Sequence, residues 1–268
     1  EREITAPVDL CAPDGSLADA ARGWSRRPLH RANLRGGWGR HKRWDYWAVL
    51  AGDLVLSATY ADVDYLGLAD VWWAHLPSGR TGGAGIVRPL AVGVTLPERP
   101  GTAPLRVDGR RLPARSVGGP LPGGSISGES RGTRLVAHWV EAGGELARLD
   151  VSVEDPEGHE SLNVVVPWSE TTFQYTSKHQ ARPARGELVV GDERWEVGGA
   201  AGDAWGVLDV GRGRGPYDTR WNWGGGAGRV GSTVVGLQFG GKWTEGTGAT
   251  ENGLIVDGRL TKIGVELE

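Results

Sequence analysis

Asp209 and Glu251 each lie in a run of tryptophan, glycine and basic residues, and a carboxyl group set among aromatic rings holds its proton to unusually high pH. The first run, "DAWGVLDVGRGRGPYDTRWNWGGG" (203–226), supplies Trp205, Asp209, Arg212, Tyr217, Arg220, Trp221 and Trp223. The second, "GGKWTEGTGATEN" (240–252), supplies Lys242, Trp243, Glu245, Glu251 and Asn252, and "FQYTSKH" (173–179) adds Lys178. Asp209 or Glu251 would donate or accept the proton. Trp205, Trp221, Trp223 and Trp243 would form an apolar wall whose ring faces attract developing positive charge. Lys178, Arg212, Arg220 and Asn252 would orient polar groups or set the charge state of the acid, with Tyr217, Lys242 and Glu245 as further ligand contacts. This chemistry suits hydration, cyclisation or isomerisation of a lipophilic, terpenoid or polyketide-like molecule in a Trp-lined pocket. Two other readings use the same residues. A non-catalytic ligand binder would neutralise every buried carboxylate with an arginine or lysine, and a carbohydrate-active enzyme would set two acids across an open groove.

Other chemistries find less support. The chain has 268 residues, a formal net charge of −3 and one cysteine, Cys11. No global positive field draws it to nucleic acid, and neither a disulfide framework nor a thiolate metal cluster is available. None of the six histidines forms an i, i+4 ligand pair, and no Gly-x-Ser-x-Gly elbow is present. The reading therefore calls for no cofactor and no metal. Gly226 to Gly231 matches a dinucleotide fingerprint and Gly236 to Lys242 nearly spells a phosphate loop, but strand patterns surround both where a helix must follow. The basic stretch 25–43 reads as a solvated connection whose arginines pair with acids in the strands that follow. No apolar run approaches the roughly 18 residues of a membrane span, and the expected location is cytoplasmic. Oligomeric state stays open.

The elements that must position these groups are strands. Residues 44–50 and 54–60 flank the turn Ala51-Gly52-Asp53. Two more hairpins close at 191–193 and 257–258. Further strands are expected over 133–140, 147–154, 160–168, 203–210 and 232–243, and 60–73 alternates as one strand with Tyr60, Asp62, Asp64 and Asp70 on one face. In 232–243, Val235, Leu237 and Phe239 would face the core, opposite Gln238, Gly240 and Lys242. Trp221 and Trp223 would point the same way, 211–226 would connect two strands, 116–130 would be a long loop, and 16–24 is the one helix candidate. The fold class is all-β, an antiparallel lipocalin-like barrel or sandwich with very little helix. Two halves, 1–157 and 158–268, would meet near 154–160.

The segments "GWSRRPLHRANL", "KRWDYW", "FQYTSKH", "LDVGRGRGPYDTRWNWGGGAG" and "GLQFGGKWTEGTGATENGLIVDGRLTKI" resemble, in order and character, the bacterial family of domain of unknown function 2804. The resemblance runs over nearly the whole chain. It departs at Gly215, where the family tends to carry a tryptophan before Pro-Tyr, and it implies further C-terminal strands beyond "KIGVELE". The family's fold is similar to the paired lipocalin-like barrels of carotenoid hydratases, tocopherol cyclase and fungal Diels–Alderases. That similarity implies a hydrophobic small-molecule site.

Overall fold

The computed structural model describes residues 1–102, 105–107, 115–120 and 132–266. The chain opens with two-residue strands β1 (Val8–Asp9), β2 (Trp24–Ser25) and β3 (His30–Arg31), then a meander of β4 (Lys42–Ala51), β5 (Leu54–Asp62), β6 (Leu66–His75) and β7 (Arg80–Pro89). Short strands β8 (Val94–Thr95), β9 (Leu105–Val107) and β10 (Arg115–Pro120) lead into β11 (Gly132–Val140) and β12 (Leu146–Glu154). After β13 (Leu162–Pro167) come the long β14 (Phe173–Val190), β15 (Glu193–Val197) and β16 (Trp205–Arg214). A separate sheet is built from β17 (Asn222–Val230), β18 (Thr233–Gly241), β19 (Asn252–Val256) and β20 (Arg259–Ile263).

The large sheet runs β7-β6-β5-β4-β16-β14-β12-β11-β10-β9-β8, so β16 joins the early meander to β14 and the later strands. It curls until β8 to β11 lie against β5 to β7. The space inside is filled by one apolar cluster that includes Trp47, Leu56, Tyr60, Trp73, Trp139, Leu149, Val151, Leu188 and Leu208. Glu141 pins the closure by accepting from Trp73 Nε1 at 2.7 Å, Trp139 Nε1 at 2.8 Å and the Gly83 amide at 3.1 Å. The chain is an all-β protein whose long strands all pair antiparallel.

All three hairpins form where their turn residues place them. Several finer expectations fail for physical reasons. Residues 16–24 hold only a single 3-10 turn at Asp19–Ala21, because the Ser16 hydroxyl donates to Asp14 and caps no helix. Residues 60–73 are two strands, broken where Asp64 takes a left-handed φ of 67° and its carboxylate accepts from the Gly39 and His41 amides. Of the arginines in the 25–43 stretch, Arg43 pairs with Asp62 in the following strand at 2.8 Å, whereas Arg31 pairs backward with Asp9 at 2.6 Å. Residues 116–120 belong to β10 rather than to a loop, and 121–130 lie outside the described residues. No helix among the described residues is long and apolar enough to cross a membrane.

The alternation of β18 is inverted. Gln238 is 1% exposed and Leu237 is 36% exposed, so the polar row faces inward and the apolar row outward. The cause is the surface underneath. β18 packs on the outer face of β14, where Gln180 reaches Gln238 at 3.3 Å, and Gln238 in turn donates to the Glu251 carbonyl.

Candidate active site

Cross-strand pairing builds a polar row on the outer face of the large sheet. Lys178 on β14 lies opposite Asp209 on β16, Asp209 opposite Tyr46 on β4, Tyr46 opposite Thr59 on β5, and Thr59 opposite Asp70 on β6. The small sheet closes over one end of this row and brings Glu251 from the turn before β19. The Lys178 ammonium then sits 2.6 Å from Asp209 Oδ2 and 3.0 Å from Glu251 Oε2. Trp44 Nε1 donates to Asp209 Oδ1 at 3.3 Å, and Trp243 Nε1 donates to Glu251 Oε1 at 2.5 Å. The Trp223 ring stands 5.6 Å from the ammonium and meets Tyr46 edge-on at 6.3 Å. Its own Nε1 is buried without a partner.

Two carboxylates sharing one lysine in a buried space cannot both be neutralised. Burial pushes the Glu251 carboxyl above the usual glutamate range. Lys178 opposes this and the Asp209 charge adds to it. Burial alone would lower the Lys178 ammonium, but the two carboxylates outweigh it and hold the group charged. Lys178 and Glu251 side chains are 3% and 2% exposed, against 17% for Asp209, so Asp209 is the member of the trio that meets solvent or ligand. Asp70, about 14 Å along the row at three strand spacings, is also raised by burial, against the Thr59 hydrogen bond.

Two glycines make the arrangement possible by lacking a side chain. A Cβ on Gly211 would come within 2.2 Å of the Trp44 ring, which lies across it, and one on Gly240 would stand 2.0 Å from Glu251 Oε1. Gly240→Ala is therefore expected to push the Glu251 carboxylate off Lys178 and destabilise the protein by about 1–3 kcal/mol. Thermal unfolding of the variant against Gly224→Ala, where nothing lies within 4 Å, isolates the effect.

The structure gathers Lys178, Asp209, Trp223, Trp243 and Glu251 into this cluster and distributes the other candidates elsewhere. Trp221 does not follow Trp223. β16 continues as far as Arg214, so the connection is only 215–221, and Trp221 lies in it 70% exposed. With Arg220, Lys242 and Glu245 it lines an open cleft of about 780 Å³. Trp243 is shared, facing this cleft beside Trp168 at 5.6 Å while holding Glu251 behind it. Tyr217 is 85% exposed under the Arg40 guanidinium. Trp205 lies four residues from Asp209 on the same face, covered by Arg229. Asn252 is a clasp, accepting from the Gly240 amide at 2.7 Å and donating to the Val265 carbonyl at 3.1 Å.

Arg212 alternates to the opposite face and makes a buried pair with Asp45 at 2.5 Å, away from the cluster. Trp44, Tyr46 and Asp45 went unselected in the sequence because their run, "KRWDYW", reads as an ordinary hairpin arm. Alternation of Trp44 and Tyr46 against Asp45 was the available signal. Among the described residues, no three His, Cys, Asp or Glu side chains are grouped to hold a metal ion.

An antiparallel sheet wrapped round an apolar core, with a lysine-bridged acid pair under a second sheet, defines an all-β protein that has a polar site outside its core. The chain belongs to the family described as Domain of unknown function (DUF2804), whose model matches residues 1–268. No curated protein sequence matches it. Among solved structures it is similar to a provisionally named AttH of Nitrosomonas europaea, at 11% identity and a TM-score of 0.48, over 83% of this chain and 67% of that one. It is also similar to kievitone hydratase of Nectria haematococca, at 8% identity and TM-score 0.39, over 80% and 60% of the two chains. A third is CghA with Sch210972, at 13% identity and TM-score 0.38, over 93% and 68%.

Proposed function

We propose that the protein is a cofactor-independent enzyme that uses acid–base chemistry on a lipophilic small molecule of terpenoid or polyketide type, by hydration, cyclisation or isomerisation. The observation that carries this reading is the sharing of one buried lysine by Asp209 and Glu251. Three groups with two negative charges and one positive hold a proton readily. Glu251 is its reservoir, because its carboxyl is raised by burial, and Asp209 is the exposed face of the pair. Trp223 and Tyr46 flank the exposed side, and a cation forming there is stabilised by their ring faces. The unpartnered Trp223 Nε1 is a donor for a substrate oxygen.

Lys178 also argues against glycoside hydrolysis. An ammonium within 3.0 Å of both acids occupies the space in which a glycosidic bond would have to lie.

The test begins with the protein incubated separately with lipid and polar cell extracts, followed by mass spectrometry of retained and converted species. On a converted substrate, Asp209→Asn and Glu251→Gln should each lower kcat by roughly 100-fold or more. Full activity in both variants rejects the acid–base assignment, and retention without conversion identifies a binder. If Glu251 must be protonated to act, the rate falls as pH rises through its raised pKa. Conversion of soluble sugars alone rejects the lipophilic substrate.

A further inference from the structure

We propose that the cavity on the opposite, inner side of β14 and β16 is a second ligand site, for a small molecule carrying a carboxylate on a compact apolar body. This cavity, of about 760 Å³, has a volume typical of small-molecule sites. Its floor is apolar, made by Trp47, Val153 and Leu208 at one end of the barrel core.

A bulge in β14 builds its polar wall. His179 pairs with Leu208 and Arg182 with Gly206, so β14 carries one residue more than β16 over this step, and Ala181 absorbs it with a left-handed φ of 55°. Strict alternation would send residues 179 and 182 to opposite faces; the extra residue turns both side chains into the cavity. Lys178 and Gln180 remain on the outer face with the acid pair.

Three donors on residues lining this cavity have no acceptor: Trp47 Nε1, Arg99 Nε and Arg182 Nε. Trp47 is 6% exposed and Arg182 3%, so these are buried groups rather than solvated ones. Of the three acids that line the cavity, Asp155 is paired with Arg182 Nη1 and Glu154 with Arg185, and the third, Glu157, is exposed. His159 Nε2 donates to the Gln180 carbonyl at 3.0 Å and keeps one lone pair, on Nδ1, whereas His179 has none free for the cavity. Arg182 Nη2 can only donate, so His179 Nδ1, 3.2 Å away, accepts and the ring proton sits on Nε2, directed at Ser177 Oγ 3.0 Å away. Ser177 in turn donates to Asn163 Oδ1 at 2.6 Å. The same tautomer leaves His179 no lone pair for Ser177, so the pair is not a nucleophile and base. Over the apolar floor, the three buried donors of Trp47, Arg99 and Arg182 are the groups that lack an oxygen acceptor. A carboxylate supplies two such oxygens and a charge matched to Arg99 and Arg182.

The probes are 2-naphthoate and 2-naphthalenemethanol, which share a ring body and differ in the carboxylate. Titrated into the ¹⁵N-labelled full chain, naphthoate should shift the Trp47 indole N–H signal saturably, that signal being assigned by its loss in Trp47→Phe. The alcohol should need at least about tenfold more, as loss of a charge-assisted hydrogen bond implies. Arg99→Gln, a change on a half-buried loop residue, should weaken naphthoate by a similar factor with the other indole signals in place. An unmoved Trp47 signal, an equal response to both probes, or unchanged naphthoate affinity in Arg99→Gln overturns the proposal.

Discussion

Lys178→Met should lower stability by about 3–5 kcal/mol at neutral pH, because it strands two carboxylates in a space where both cannot stay charged. For a chain of this size that is a fall in Tm of roughly 6–20 °C. The pH dependence gives the result its meaning. Glu251 is already raised by burial, and without the ammonium it rises further. A carboxyl whose folded pKa lies above its unfolded value favours the folded state below the unfolded pKa and loses that contribution as pH rises through the folded one. The cost of Lys178→Met should therefore be small near pH 4–5, where Glu251 takes the proton, and full above its raised pKa. A cost independent of pH would mean that Lys178 acts only through its packing against Trp223. Denaturant unfolding at several pH values, with Lys178→Met/Glu251→Gln as the neutralised control, decides between them.

The same cluster marks how far the sequence could be read. The hairpins at 51–53, 191–193 and 257–258 were legible because each turn carries its own local signal, and so was the all-β class. The density of acids, bases and tryptophans in 203–252 pointed to Asp209, Glu251, Trp223 and Trp243. What was not legible depends on contacts between distant strands. β18 was read with its apolar row inward, as a hydrophobic core would require, but its inner face covers Gln180 and Glu251 rather than a core. Nothing local in "KHQAR" announces that Ala181 bulges, yet that one residue decides that Lys178 and Arg182 serve opposite sides of the sheet. Arg212 was grouped with Asp209 by proximity in sequence, although their spacing of three already placed them on opposite faces of a strand.

Arg212→Met should be the other large effect, again about 3–5 kcal/mol, because it leaves Asp45 charged and buried. Arg212 and Asp45 side chains are 1% and 3% exposed. The guanidinium also donates to the carbonyls of Pro97 at 3.1 Å, Trp44 at 2.6 Å and Gly211 at 2.9 Å. It therefore ties the loop after β8 to β4 and β16. Burial raises the Asp45 carboxyl even with the guanidinium against it, so loss of Arg212 raises it further. By the same sign rule, the Arg212→Met penalty should shrink on acidification as Asp45 is protonated. Asp45→Asn should cost a comparable amount by stranding the guanidinium, but with no such relief at low pH, since an amide does not titrate in this range. The double variant removes both charges and leaves only carbonyls without donors. It should be less destabilised than the sum of the single variants by about 0.5–3 kcal/mol, a coupling that urea unfolding of the four proteins measures directly. Additive costs would mean that Arg212 holds the fold through its three carbonyl contacts and that the charge on Asp45 contributes nothing.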